Sequence, residues 1–386
     1  MSGPLDFELG EERELLRDEV RRFAEEQIRP GVAQRDADKE FPRAALAGLA
    51  EMGILGMLVP ERYGGAELDV LAYAVVIAEL ARVCPATAVT VSVTSSVCCW
   101  PLATFGSESL KQRYLPKLAS GEWIGGFGLT EPGAGSDAGG LRTTARRDGD
   151  SWVLDGEKAW ITNAGEAGVF VVVARTGPAD SGAKGLSAFV VPAETPGLSV
   201  GVPEHKMGLR ASRTAPLVFE GCRVPADHLL ANEGDGFRIA MKTLDHSRVG
   251  IAAQAIGIHQ RALELAVSYA KERVQFGRPI GDQQAIRFHL AEMATELEAA
   301  RLLTYHAAAA DHTPDAGRLA AQAKLYASEA ANRACFTSLQ IHGGNGFCED
   351  YEISRLYRDV RVTTIYEGTS EMQRLVIARR LLGGKV

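Results

Sequence analysis

Five short stretches of this chain carry residue types that can act on a ligand. In "TTIYEGTSEMQRLVIARR" a single carboxylate, Glu367, stands between a β-branched, aromatic run and Gly368. A carboxylate fixed at such a joint can be aimed at a proton, although most Glu residues are exposed loop acids. The run "GFGLTEPGAGSDAGG", from Gly126 to Gly140, sets glycines and a proline around Thr130, Ser136 and Asp137. Its N–H groups and hydroxyls can face a planar or anionic ligand, and the same composition also makes a plain turn between strands. It is not the dinucleotide fingerprint, because Gly133-Ala134-Gly135 lacks the third glycine and no βαβ unit surrounds it. In "KAWITNAG", strand alternation puts Trp160 and Thr162 on one face, where an aromatic beside a hydroxyl suits a flavin ring or an ordinary β-core. Arg273 and Phe276 in "ERVQFGRPIGDQQAI" can hold a pyrophosphate and an adenine, or the arginine can simply complement a helix dipole. In "QIHGGNGF", Gln340 precedes Gly343, Gly344 and Gly346, which end a helix or admit a ligand closely.

The elements that would position these groups follow from hydrophobic period. Leu16, Val20, Phe23 and Ala24 share one face of a helix starting at Glu11, and Asp69 to Arg82 continues in the same rhythm after a turn at Pro60, Gly64 and Gly65. From about Trp123 to Leu230 the texture becomes short β runs: "SWVLDGEKAWIT", "GVFVVVART", "LSAFVVPA" and "APLVFEGCRV". Long helices then return, with Ile286, Leu290, Met293, Leu297 and Ala300 on one face. Arg273 ends one helix, and Gln283 and Gln284 open the next. Val360, Val362, Thr363, Thr364, Ile365 and Tyr366 predict extended backbone before a helix over Ser370 to Leu382, with Ser370 and Gln373 at capping-box spacing. The order helices, strands, helices gives an α+β chain divided at 1–122, 123–232 and 233–386.

Composition narrows the function. The 386 residues are 46% hydrophobic and 24% charged, with a formal net charge of −7 and no basic stripe, which argues against a nucleic-acid partner. No apolar run is read as reaching membrane-spanning length, and the acidic "MSGPLDFELGEERELL" has no signal-like core, so a cytoplasmic protein without a membrane partner is expected. Cysteines 84, 98, 99, 222, 335 and 348 and the eight histidines have neither disulfide nor metal-ligand spacing, so reduced thiols and no metal are expected.

Taken together and in order, "LTEPGAGSD", "KAWITN", "ERVQFGRPI", "QIHGGNGF" and "IYEGTSEMQ" make the sequence resemble the acyl-CoA dehydrogenase family over essentially its full length, with the look of its short-chain members. The resemblance implies a helical N-terminal domain, an all-β middle domain and a C-terminal four-helix bundle, with bound FAD and a homotetramer. It places the flavin against Phe127, Leu129, Thr130, Gly135, Ser136, Trp160, Ile161 and Thr162. It implies that the pyrophosphate and adenine of a neighbouring subunit's FAD meet Arg273, Gln275, Phe276, Gln283, Gln284, Gln340, Gly343 and Gly344, with Thr369, Ser370 and Glu371 completing that site.

The same resemblance puts the thioester near Ser136, Leu244, Asp245, Ser247, Arg248 and Gly368, and makes Glu367 the catalytic base. In some relatives the base comes from the position of Ser247, which cannot serve here. The implied reaction is FAD-dependent α,β-dehydrogenation of a short- to medium-chain acyl-CoA to a trans-2-enoyl-CoA, with an electron-transferring flavoprotein as acceptor. Alternatives on the same fold are a flavin oxidase, an enoyl-CoA reductase acting on a modified acyl group, or a non-catalytic acyl-CoA-binding relative. The helix corresponding to Thr87 to Trp100 is expected to floor the acyl pocket, with Val91, Thr94, Ser95 and Cys98 on one face and Trp100 shortening the cavity.

Overall fold

The computed structural model describes residues 9–383. The first third is helical: α1 (Glu11–Phe23), α2 (Val32–Asp38), α3 (Arg43–Glu51), α4 (Val70–Val83), α5 (Pro85–Val93), α6 (Trp100–Phe105) and α7 (Glu108–Ala119). Val20 and Ala24 are buried and Leu16 and Phe23 pack against them, as the spacing predicts. Asp69 caps α4 by accepting from Ala72 N at 2.8 Å, and Ser107 caps α7 in the same way.

Between α5 and α6 lies a π-helical segment, Thr94–Cys99, so Pro85–Phe105 is a continuous helical run of 21 residues. By length and composition it is apolar enough to cross a membrane, contrary to the sequence reading. Its residues are instead wound into the protein core, from Pro85 through Cys99 without an exposed position. Val91, Thr94, Ser95 and Cys98 are all buried, as are the residues between them, so burial does not set them apart as a face.

Strands β1 (Gly125–Gly128), β2 (Thr144–Asp148), β3 (Ser151–Thr162), β4 (Val169–Arg175), β5 (Leu186–Pro192), β6 (Leu198–Val200), β7 (Thr214–Pro225) and β8 (Leu229–Leu230) form one sheet. Its order is β6-β7-β3-β2-β4-β5-β8, with β1 parallel to β4. Every residue of β4 is buried, which explains why "VFVVVAR" reads as a continuous apolar run rather than an alternating one.

The chain then enters α8 (Gly236–Glu272), the hairpin β9 (Val274–Gln275) and β10 (Arg278–Pro279), and α9 (Gln284–Ala309), α10 (Ala316–His342), α11 (Glu352–Val360) and α12 (Ser370–Leu381). The backbone from Val360 to Tyr366 is not extended: α11 runs into a 3-10 turn over Arg361–Thr364. Ile353, Leu356, Val360 and Thr363 are buried at helical spacing, so packing outweighs β-propensity there.

Two features lock the helical layers together. Glu25, Arg29, Glu352, Arg261, Glu264 and Arg82 close a ring of alternating charges, with Arg29–Glu352 at 3.3 Å, Arg261–Glu352 at 2.6 Å and Arg82–Glu264 at 2.8 Å. The ring joins the first third of the chain to α8 and α11. At Gly257 the α8 backbone lies so near α4 that an added Cβ would fall 2.1 Å from the Ala78 carbonyl oxygen. Gly257→Ala is therefore expected to lower unfolding free energy by about 1–3 kcal/mol, measured by urea denaturation.

Candidate active site

Glu367 and Gly368 occupy the joint between the 3-10 turn and α12, and both have left-handed backbone, with φ of 55° and 89°. For a glutamate this conformation is unusual and must be held by its surroundings. Gln373 Nε2 donates to the carbonyls of Glu367 at 3.2 Å and Gly368 at 2.8 Å. The buried Lys324 on α10 donates to the same Gly368 carbonyl at 2.8 Å. The helix cap itself is Thr369, whose hydroxyl accepts from Met372 N at 3.3 Å. The expected Ser370–Gln373 capping box is thus not formed, because Gln373 is drawn back to the turn.

The Glu367 side chain meets α8. Ser247 donates its hydroxyl to Glu367 Oε2, and the neighbouring Arg248 pairs with Asp245 one turn earlier. Glu367 keeps some exposed surface, yet its carboxyl is desolvated. Burial pushes its pKa up, and the Ser247 hydrogen bond with the charges of Arg248 and Lys324 pulls it only part of the way back. Tyr366 donates to Gln254 Oε1, and Tyr73 shares a 2.7 Å hydrogen bond with Ser92. Trp100 stacks on His246 at 4.6 Å between ring centroids, beside Ser247. Sequence reasoning therefore placed Glu367, Gly368, Ser247, Asp245 and Arg248 in one neighbourhood, with Leu244 one turn before Arg248 and half-buried.

The glycine-rich run and the "KAWIT" strand also meet. Ala159 N donates to Thr130 O at 2.8 Å, and Lys158 Nζ donates to Leu129 O at 3.1 Å and to Glu131 Oε1 at 2.7 Å. Lys158 is fully buried and Glu131 nearly so. Burial pushes Lys158 down to about 8 despite Glu131. For Glu131, burial acts upward but is overcome by the Lys158 charge and by hydrogen bonds from Lys158, Arg142 N and Thr143, leaving its pKa below the usual value. Both partners are charged at neutral pH.

Regular alternation fails at Trp160, which has φ of 61° at a register shift between Lys158 and Ile161. The bulge turns Trp160 outward, 60% exposed, with Ile161 buried and Thr162 half-buried. Phe127 and Thr130 are half-buried, Leu129 is buried, and Gly135 and Ser136 are exposed.

The second cluster lies at the other end of α8. Arg273, Gln275 and Gln284 are exposed, Gln283 is half-buried, and Phe276, 96% exposed, forms the hairpin tip. Gln340, Gly343 and Gly344 join them there, since His342 stacks on Tyr269 at 4.3 Å and Asn345 donates to the Tyr269 hydroxyl. At 1.5 Å of rise per residue, Arg273 is about 39 Å along α8 from Ser247. Thr369 and Glu371, expected to complete this cluster, instead open α12 beside Glu367, so one chain does not bring them together.

The residues fit a flat, phosphate-bearing cofactor such as FAD. Trp160 and Phe276 present large apolar rings that the chain does not cover, and a Cβ on Gly133, Gly135 or Gly344 would meet nothing within 4 Å. Lys158, Glu131, Lys324 and Gln373 were missed as site residues. A signal for Lys324 was present: it shares the i, i+3, i+4 stripe of Ala320, Ala321, Ala327 and Ser328, all buried.

A helical, β and helical chain with a desolvated carboxylate beside a helix defines a class, and comparison with known proteins identifies it. Residues 10–122, 126–222 and 234–382 match the acyl-CoA dehydrogenase N-terminal, middle and C-terminal domains. The chain belongs to the acyl-CoA dehydrogenase family of enzymes. It is 51% identical to human mitochondrial short-chain specific acyl-CoA dehydrogenase, covering 97% of this chain and 91% of that protein. It is 43% identical to an NADH-linked acryloyl-CoA reductase from Anaerotignum propionicum, covering 98% and 96%. Butyryl-CoA dehydrogenase from Megasphaera elsdenii superposes with a TM-score of 0.96 at 41% identity, covering 98% and 100%.

Removing one partner of the buried Lys158–Glu131 pair should be costly, because it strands a charge. Glu131→Gln is expected to lower unfolding free energy by about 3–5 kcal/mol at pH 7, with Glu131→Leu/Lys158→Met recovering most of it. Because the Glu131 pKa is depressed in the fold, the pair's contribution is present above the ordinary carboxylate pKa and lost as pH falls through the folded one. Urea unfolding at pH 7 and pH 4 checks both points.

Proposed function

We propose that this chain dehydrogenates short- to medium-chain acyl-CoA thioesters to trans-2-enoyl-CoA, with Glu367 as the base that removes the α-proton. The observation that carries the proposal is the desolvated Glu367 carboxylate, aimed by a left-handed turn and hydrogen-bonded by Ser247. A carboxylate fully solvated in water is too weak a base for a thioester α-proton, and burial makes it stronger.

FAD, when bound, supplies the acceptor for the β-hydride. Phe127, Leu129, Thr130, Gly135, Ser136, Trp160, Ile161 and Thr162 would hold its ring end. The cluster of Arg273, Gln275, Phe276, Gln283, Gln284, Gln340, Gly343 and Gly344 would hold the phosphates and adenine of a neighbouring chain's FAD. The separation of about 39 Å along α8 between Ser247, which holds Glu367, and Arg273 supports this division between chains. Exposed Phe276, Phe288 and Phe336 on the helical end support its coverage by further copies, in a homotetramer. Asp245, Arg248, Leu244 and Gly368 would line the thioester's path, and an electron-transferring flavoprotein would take the electrons.

Short-chain preference is supported by the rings crowded beside Ser247, where Trp100 and Tyr73 both stack on His246. A second reading, reduction of an enoyl-CoA, is favoured by the 43% identity to the acryloyl-CoA reductase. In that direction Glu367 would return the α-proton. NADH-dependent consumption of enoyl-CoA exceeding acceptor-dependent oxidation of butyryl-CoA would select it.

Two experiments test the main reading. Acetyl-CoA has α-protons but no β-hydrogen, so its α-hydrogen exchange in D2O reports the base alone. Glu367→Gln should slow that exchange, followed by NMR, by about 10²-fold or more with circular dichroism unchanged. Exchange at the wild-type rate would remove Glu367 from the role. Across saturated acyl-CoAs from butyryl to palmitoyl, kcat/KM should peak at short to medium length and fall by about tenfold or more at palmitoyl.

A further inference from the structure

Lys324 is fully buried on α10, and among the described residues no carboxylate oxygen lies within 4.0 Å of its ammonium. Its hydrogen-bond partner is the Gly368 carbonyl. An ammonium in such a place is costly to keep, and a nonpolar side chain of similar length would cost less. Burial drives the Lys324 pKa down to about 8 even with Glu367 nearby to raise it. Gly368 O would remain satisfied without Lys324, because Gln373 also donates to it. The hydrogen bond alone therefore does not explain a buried lysine.

The surrounding charges do. Around Glu367, α8 contributes Ser247 and Arg248, and Arg248 is paired with Asp245. From α4 comes the neutral Tyr73, and Tyr366 on the turn itself is also neutral, its pKa pushed far up by burial. At the far side of Lys324, Glu329 and Glu371 are both within reach of Arg374, at 3.6 and 3.9 Å. Arg248 and Arg374 thus each lie beside carboxylates other than Glu367. Lys324, with the Gly368 carbonyl rather than a carboxylate as its partner, adds its charge to that of Arg248 in favouring the ionised Glu367.

Resting on the reading of Glu367 as the base, we infer that Lys324 is a positioning residue for the reaction. It helps fix the left-handed Glu367–Gly368 turn through the Gly368 carbonyl and supplies a buried positive charge that, with Arg248, favours the ionised Glu367 carboxylate that accepts the α-proton. Without that charge, only the Ser247 hydrogen bond and Arg248 would oppose desolvation, so more of the carboxyl would be protonated, and a protonated carboxyl cannot act as the base. With a pKa of about 8, Lys324 is protonated throughout the lower range in which a raised carboxylate titrates. The pKa is lowered from the ordinary lysine value by folding, so Lys324 subtracts from stability below pH 8. That penalty is relieved as pH rises through 8 toward 10.5.

The test separates charge from hydrogen bonding. Lys324→Met removes both, whereas Lys324→Gln keeps a donor for Gly368 O without a charge. Acetyl-CoA α-hydrogen exchange in D2O is followed against pH in the wild type and both variants, with thermal midpoints measured alongside. Both variants should move the acid limb of the exchange profile to higher pH, losing rate several-fold near pH 6 and converging on wild type at higher pH. The thermal midpoint of Lys324→Met at pH 7 should not fall. An acid limb that stays in place in both variants, or a Lys324→Gln profile matching wild type while Lys324→Met is shifted, overturns the charge role. A fall in the Lys324→Met midpoint with an unshifted limb would make Lys324 a structural residue. Exchange surviving in Glu367→Gln would instead strike the underlying reading, so the two failures are distinguishable.

Discussion

The architecture depends on how closely other elements can approach α8. From Val249 to His259 every residue of that helix is buried, and Gly250, Ala252, Ala253, Ala255 and Gly257 leave little between its backbone and its neighbours. A Cβ on Gly250 would fall 1.9 Å from the Tyr73 hydroxyl oxygen, and one on Gly257 would meet the Ala78 carbonyl. Small residues thus let α4 press on one side while α10 packs along another. Ser247 stands just before this constricted stretch. The same packing that stabilises the helical layers therefore sets the position of the hydroxyl that holds Glu367.

Charge is distributed by the same economy of space. Among the described residues two lysines are fully buried, Lys158 and Lys324, and they are treated differently. Lys158 faces a carboxylate with further hydrogen-bond donors, a closed arrangement that fastens the glycine-rich run to β3. Lys324 faces a carbonyl and leaves its charge to act at longer range. A paired buried charge fixes geometry, whereas an unpaired one fixes electrostatic potential. Both outcomes come from which oxygen stands within 3 Å.

Much of this was legible in the sequence because it follows from period. The stretch "SWVLDGEKAWIT" coincides with β3, and the face of Met293, Leu297 and Ala300 is buried in α9. What the sequence concealed was decided by tertiary contact. Val360 and Thr363 favour strands locally, yet their buried side matches a helix packed on α10. Trp160 reads as one more alternating position, yet a bulge turns it out. Gln373 has the spacing of a capping residue, but two carbonyls of a left-handed turn compete for its amide. Thr94–Cys99 widens into a π turn, which no periodicity of 3.6 can reveal. Of the site, the motifs showed Glu367, Ser247 and Arg248 but could not show that Lys158 and Lys324 are buried, since lysine is almost always outside.

These concealed features gather where the local rules are broken. Glu367 adopts a backbone that disfavours side chains, its carboxyl is desolvated, and an ammonium is buried behind it without a carboxylate. Each is unfavourable alone, and each is held by neighbours that are themselves regular: the α12 cap at Thr369, the alanine stripe of α10 and the buried rod of α8. A sequence optimised for stability alone would place a glycine at 367 and an apolar residue at 324. Retaining Glu and Lys at those positions makes sense if the strain is what aims and charges the carboxylate. The ordinary core, from the alternating ion-pair ring to the buried strand β4, is what lets the molecule tolerate it.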